Sequence, residues 1–246
     1  MPLADTYIAH VHEHTRLLAT WLPNAQRTIG DYGTLVETGG GPDFEKLARL
    51  DGIQASPSPA TTTYDFTVDA DRLINASASA AADAGVTSGK ALLEVKFHNA
   101  DALSFSAPDG VITRVDDLIA LGERLITLQA QNLWDWRYCI VIEVVTVPKV
   151  TILIAQKAGA EIKFEVDGNT PINPHLLANL DATSSLKVSK GVSGKIIGEG
   201  PLTPLYRVAY LKSRFFKGPE IKVYRGHQAT PPEQFPLSGD HYLELS

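Results

Sequence analysis

Two blocks of strict period-two alternation limit what this chain can fold into. From Leu73, the residues Ile74, Ala76, Ala78, Ala80, Ala82, Ala84 and Val86 share one parity. Asn75, Ser77, Ser79, Asp83 and Gly85 occupy the other, with Ala81 the exception. A helix would wrap these serines around every face and leave no apolar stripe. Alternation with one wetter side is the pattern of a strand. The pattern resumes in "LLEVKFH", with Leu93, Val95 and Phe97 against Glu94, Lys96 and His98, so 73–105 reads as a strand pair turning near Gly89-Lys90. In "AEIKFEVDG", Ala160, Ile162, Phe164 and Val166 oppose Glu161, Lys163, Glu165 and Asp167, and Asp167-Gly168-Asn169 closes the run as a turn. Two long alternating blocks, 73–105 and 150–197, are thus separated by a helical stretch.

That stretch is 115–131, "VDDLIALGERLITLQAQ". Val115, Leu118, Ile119, Leu125 and Ile126 face inward, and acids stand at the start, where the helix dipole favours them. A first helix is expected over 4–22, with Ile8, Val11, Leu18 and Leu22 on one face and Pro23 ending it. Thr28–Val36 reads as a short strand with a glycine bend, 39–42 as a turn, 56–62 as a polar loop and Tyr64–Val68 as a strand. Tyr138–Val147 and Val150–Ala155 read as two apolar strands, Pro174–Leu180 as a short helix, and "TPLYRVAYLKSRFF" as a last strand before a polar tail. The class is α+β: a twisted, mostly antiparallel sheet with flanking helices. A domain over 1–222 and a tail over 223–246 are expected.

Composition narrows the function classes. The 246 residues carry a net charge of -6, which argues against a whole-surface nucleic-acid binder, so no nucleic-acid partner is expected. Cys139 is the single cysteine, so no internal disulfide can form; with no secretory pattern at the start, a cytoplasmic location is expected. The most apolar stretch, 138–155, is interrupted by Glu143, Pro148 and Lys149 and cannot be a spanning helix.

No residues assemble into a credible catalytic set, and no cofactor is expected. "HVHEH" offers His10, His12 and His14 as metal ligands, but the zinc-protease spacing after His12-Glu13 places Arg16 where a histidine is needed. The same histidines suit a polar helix face, so a metal-dependent enzyme remains only an alternative. "GVTSGK" is one residue short of a phosphate loop, and Ala91 replaces its hydroxyl residue. Charge is biased near the end: Arg207, Lys212, Arg214, Lys217, Lys222 and Arg225 face a single acid, Glu220, with Phe215 and Phe216 among them. Such a cluster suits an acidic membrane surface, at about 1 kcal/mol per cation. It equally suits a strand edge guarded by lysines.

Four stretches carry a resemblance to the pore-forming domain of the gasdermin family in its small microbial forms. They are "RTIGDYGTLVETGG" (27–40), "INASASAAADAGVTSGKALLEVKF" (74–97), "YCIVIEVVTVPKVTILIAQKAGAEIKF" (138–164) and "TPLYRVAYL" (203–211). The resemblance implies a latent, non-enzymatic pore-former. It binds acidic phospholipid membranes, oligomerises with itself into a ring and inserts the two alternating segments as membrane β-hairpins, causing cell death in defence or allorecognition. The inactive form is cytoplasmic and the active form is at the cell membrane. Arg16, Arg27 and the 207–225 cations would dock on lipid; Leu93, Val95, Phe97, Ile162, Phe164 and Val166 would face hydrocarbon. Phe164→Asp is then expected to spare the soluble fold and abolish leakage. Many bacterial members carry a lipidated cysteine near the N-terminus, which this chain lacks. The tail is either an inhibitory peptide removed by a protease or a simple ending, with activation by an allelic partner as in the fungal branch. A soluble lipid- or partner-binding module that never inserts is the remaining alternative.

Overall fold

Cys139–Ala155 (β8) runs unbroken through Pro148 as a strand of 17 residues, in a computed structural model that describes residues 2–22, 25–75, 90–167, 177, 180, 185–213 and 218–224. This corrects the expectation of two strands divided at Pro148. The proline lies between the Val111–Thr146 and Ser106–Thr151 pairs, where the neighbouring ladder is interrupted, so its missing N–H leaves no partner unsatisfied.

The helices are shorter than expected. Helix α1 covers Leu3–Thr15, not 4–22: Thr15 bonds back to the Val11 carbonyl, and Arg16 turns left-handed at φ 60°. Leu18–Ala19 (β1) then pairs with Tyr206 and Leu205, and Leu22 is 51% exposed rather than on a buried face. Helix α2 covers Leu118–Ala130 and starts where the Asp117 carboxylate accepts from the Ile119 and Ala120 amides, a standard N-cap. Its buried face is Leu121 and Leu125, with Leu118 and Ile126 half-buried; Ile119, expected inward, is 75% exposed.

Asp31–Thr38 (β2) and Gly41–Arg49 (β3) form a hairpin with the expected turn between them. The register shifts at Gly33, where a Cβ would stand 1.8 Å from the Glu45 carbonyl oxygen; only glycine fits. Ala55–Val68 (β4) is one strand, so 56–62 is not a loop. It lies at a sheet edge, where Pro57 and Pro59 are tolerated. The remaining strands are Ala70–Asn75 (β5), Lys90–Phe97 (β6), Ala102–Val115 (β7), Glu161–Asp167 (β9), Ser185–Lys190 (β10), Val192–Lys212 (β11) and Glu220–Val223 (β12). The last strand thus begins well before residue 203. The expected domain boundary after residue 222 falls inside β12, and Tyr224 beyond it is only 4% exposed.

Among the described residues all strand pairing is antiparallel and forms two sheets. In the main sheet β4, β7, β8 and β11 are successive neighbours, with β1 and β12 on β11 and the β2–β3 hairpin against the start of β8. In the second sheet the order is β5, β6, β9, β10. Each of its strands is the direct chain continuation of the main-sheet strand at the same place in the order. The joints are Asp69, residues 98–101, residues 156–160 and Gly191.

At the end of the main sheet next to these joints, alternation divides the side chains between two layers. Leu103, Phe105, Ile152, Ile154 and Ile196 pack with Tyr7, Ile8 and Val11 of α1. The opposite parity, Ala102, Leu153, Ala155 and Ile197, packs under the second sheet.

Candidate functional site: the folded-over hairpin sheet

The second sheet has two unlike faces. Leu93, Val95, Phe97, Ile162 and Phe164 are at most 1% exposed and form its inner layer. Full burial of each such side chain contributes roughly 1.5–3 kcal/mol. Val166 is in β9, but its side chain lies outside the described residues, as do residues 76–89 of the opening block and all of 174–180 except Leu177 and Leu180. The outer face carries charge. Glu94 and Lys163 are direct cross-strand neighbours, the Lys96 and Lys163 ammonium groups lie 3.2 Å from the Glu94 carboxylate, and Lys163 also pairs with Glu161. Burial opposes charge on Glu94, but its hydrogen bonds and ion pairs win and hold its carboxyl below the usual range.

Full burial of Phe164 corrects one expectation: Phe164→Asp would put a carboxylate into a packed layer, beneath the Lys195 ammonium 5.1 Å from the ring, and cannot spare the fold.

The expected docking cations are dispersed. Arg27 is half-buried and packs on core rings: its guanidinium lies 5.2 Å from the Phe44 ring centre and 5.6 Å from that of Tyr206, and donates to the Phe44 carbonyl at 3.0 Å. Arg207 and Arg114 share the buried Glu143 carboxylate, at 3.8 and 2.7 Å. Arg207 projects on the side of Ala209 and Leu211, which pack with α2; Lys222 pairs in register with Tyr210 and so projects on the other side, 3.1 Å from Glu220. Lys212 is half-buried opposite Glu220, and Arg16 is exposed at the end of α1. Arg214, Lys217 and Arg225 lie outside the described residues.

The three histidines do not converge. His10 Nε2 donates to the Asp101 carbonyl at 2.8 Å, His12 Nδ1 to Leu17 at 3.0 Å and His14 Nδ1 to His10 at 2.9 Å, while the His14 ring stacks on Phe66. Among the described residues no group of three His, Cys, Asp or Glu could hold a metal ion. Cys139 is buried, with its thiol 3.5 Å from the Gly33 carbonyl, and is shielded from reagents.

Contacts that span the joints were not anticipated. The Thr6 hydroxyl and His10 ring of α1 both hold Asp101, in the connection from β6 to β7. Arg72 of β5 reaches back to β4 and β7. A signal for it existed: Arg72 shares the parity of Ile74 and Ala76, so a cation stands on the apolar side of the alternating block.

No family model and no curated protein sequence matches this chain. Among solved structures it is similar to a bacterial gasdermin from Bradyrhizobium tropiciagri, at 11% identity over 87% of this chain and 88% of that one, with a TM-score of 0.35. It is also similar to the gasdermin A3 membrane pore solved by cryo-electron microscopy, at 14% identity over 94% of this chain and 97% of that one, with a TM-score of 0.34. No helix among the described residues is long and apolar enough to cross a membrane, a criterion that does not address β-barrels.

Proposed function

We propose that this chain is a latent pore-former that docks on acidic membrane, assembles with further copies and unfolds its second sheet into two membrane hairpins. The observation that carries the reading is the order of the strands. β4, β7, β8 and β11 lead into β5, β6, β9 and β10 in the same sequence, so straightening the joints would extend one sheet without re-ordering any strand. The central seam is also in phase: Ala102 pairs with Ala155 and Lys96 with Glu161, leaving five residues on each strand between the two pairs. Register across that seam survives extension, and with it the division of side chains between faces.

The chemistry of the two faces supports the same reading. Strands of about 9–11 residues cross a bilayer when apolar and polar residues alternate, and only a closed barrel satisfies every backbone group there. In the folded state the apolar face is spent on the main sheet; in the extended state lipid would take that role while Glu94, Lys96, Glu161 and Lys163 face the lumen. Permeabilisation of this kind kills the cell that holds the protein, as expected of defence or allorecognition. Arg16, with Lys212, Arg214, Lys217, Lys222 and Arg225, is the proposed docking set. Arg27 and Arg207 serve inside the fold. Removal of the tail by a protease, or contact with an allelic partner, is the proposed trigger, and the inactive form is proposed to be cytoplasmic.

The test is dye release from acidic-lipid vesicles by the full chain and by a version ending at Arg225, each alone and mixed with a close sequence variant. Leakage by the truncated form alone identifies the tail as the restraint; leakage that needs the variant identifies a partner trigger. Vesicle binding without leakage in every mixture refutes the pore and favours a module that never inserts.

A further inference from the structure

We infer that Arg72 is the latch that keeps the second sheet folded onto the main one. Arg72 belongs to β5, pairs there with Val95, and projects from the inner face. Its guanidinium reaches four groups of the main sheet. It forms an ion pair with Asp65; Nε donates to the Ser104 hydroxyl at 2.9 Å; Nη2 donates to the Phe66 and Phe105 carbonyls at 2.8 and 3.0 Å. The side chains of Arg72 and Asp65 are 13% and 5% exposed, so the pair is largely withdrawn from water. Arginine's planar fork is suited to this task, because it can serve a carboxylate, a hydroxyl and two carbonyls at once.

The contact exists only while the joint at Asp69 is bent. In a straight strand, Asp65 and Arg72 are seven residues apart, roughly 23 Å, and point to opposite faces. No arginine spans that distance. Extension of β4 into β5 must therefore break the pair, and the four polar contacts oppose it until they break. The latch stands on the folded geometry alone; its consequence for leakage rests on the pore reading above.

Hydrogen exchange on the full chain tests the latch, comparing wild type with Arg72→Met, Arg72→Lys and Asp65→Asn. The expected result for Arg72→Met and Asp65→Asn is exchange on the order of 100-fold faster at the amides of β5 and β6, with the amides of β8 and β11 unchanged. Arg72→Lys keeps the charge but loses the fork, and should fall between them and wild type. If Arg72→Met does not fold, Asp65→Asn, close in shape, gives the answer. Unchanged exchange, or acceleration spread evenly over both sheets, overturns the latch. Dye release from acidic-lipid vesicles by the same proteins separates the two ideas. Local acceleration without leakage from any form refutes the pore and upholds the latch, whereas leakage by the variants with unaltered exchange does the reverse.

Discussion

The Phe97 amide donates to the Ala160 carbonyl, and the Phe97 carbonyl accepts from the Gly159 amide, both at 2.9 Å. This exchange lies within the bend between the two sheets. The seam joining β6–β7 to β8–β9 therefore stays hydrogen-bonded into the joint, and the unpaired stretch is short. The outer joints differ in kind. Asp69 and Gly191 are single residues with left-handed backbones, at φ 51° and 69°, so each outer strand turns at one point.

Matched lengths at the central joint make a phase test possible. One glycine inserted after Asn99, in the exposed 98–100 stretch, would shift every residue of β6 to the wrong face on extension. The insertion is expected to leave the thermal midpoint within a few degrees of wild type and to abolish dye release. A second glycine inserted after Ala158 restores the match, and release should return. Equal release from the singly inserted chain would mean that the strands do not extend in this register.

Phe164→Asp should destabilise the folded protein. Truncating a buried phenylalanine costs about 3–5 kcal/mol, and placing a carboxylate in that apolar layer adds to it. Urea unfolding of the variant should show a midpoint far below that of wild type. A wild-type midpoint would show that Phe164 is not in the inner layer.

The end of the fold can be located by truncation. Val223 pairs with Ala209, and the Tyr224 amide donates to the Val208 carbonyl at 2.9 Å. A chain ending at Lys222 loses both residues and should be less stable by about 2–4 kcal/mol than one ending at Arg225, from lost burial and one backbone bond. Thermal denaturation of the two forms measures the difference. Equal midpoints would place the boundary at 222.

High pH should weaken the fold at its tyrosines. Burial, with the Glu37 charge second, pushes the Tyr224 hydroxyl up to about 12, and burial pushes Tyr7 and Tyr206 higher still. Above the ordinary value near 10, the folded state retains protons that the unfolded state releases, so stability falls as pH rises. The contribution is whole below about pH 10 and is lost through pH 12 and beyond. Among the described residues the Tyr7 hydroxyl is buried without a hydrogen-bond partner, so Tyr7→Phe should be neutral at pH 7 and should flatten this alkaline decline. Urea midpoints at pH 7, 10 and 11 test both statements.

What the sequence made legible, and what it hid, follows from the range of the forces involved. Alternation at 93–97 and 160–166 located two strands because it records a half-buried sheet directly. The acids before Leu118 marked the start of α2 because an N-cap is a local contact. "SPSPATT" hid an edge strand, since the prolines that usually end strands are harmless where one side of the ladder is open. Leu18 continued the helical spacing past Thr15, yet it is claimed by the sheet; nothing near it in sequence announces Tyr206 as a partner. The bend itself was unreadable for the same reason. Period two describes a strand equally well whether or not it folds back, and only Arg72, out of place on its apolar parity, hinted that this one does.

Cys139 gives this molecule a practical property. Cys139 pairs with Tyr210 of β11 on one side and Gly33 of β2 on the other, and its lone thiol is buried beside the Gly33 carbonyl. Fluorophores or spin labels attached to cysteines introduced at exposed sites such as Lys96 and Glu45 would meet no competing native thiol. One labelled molecule could then report, in real time and by resonance energy transfer, how far the two sheets separate and in what order.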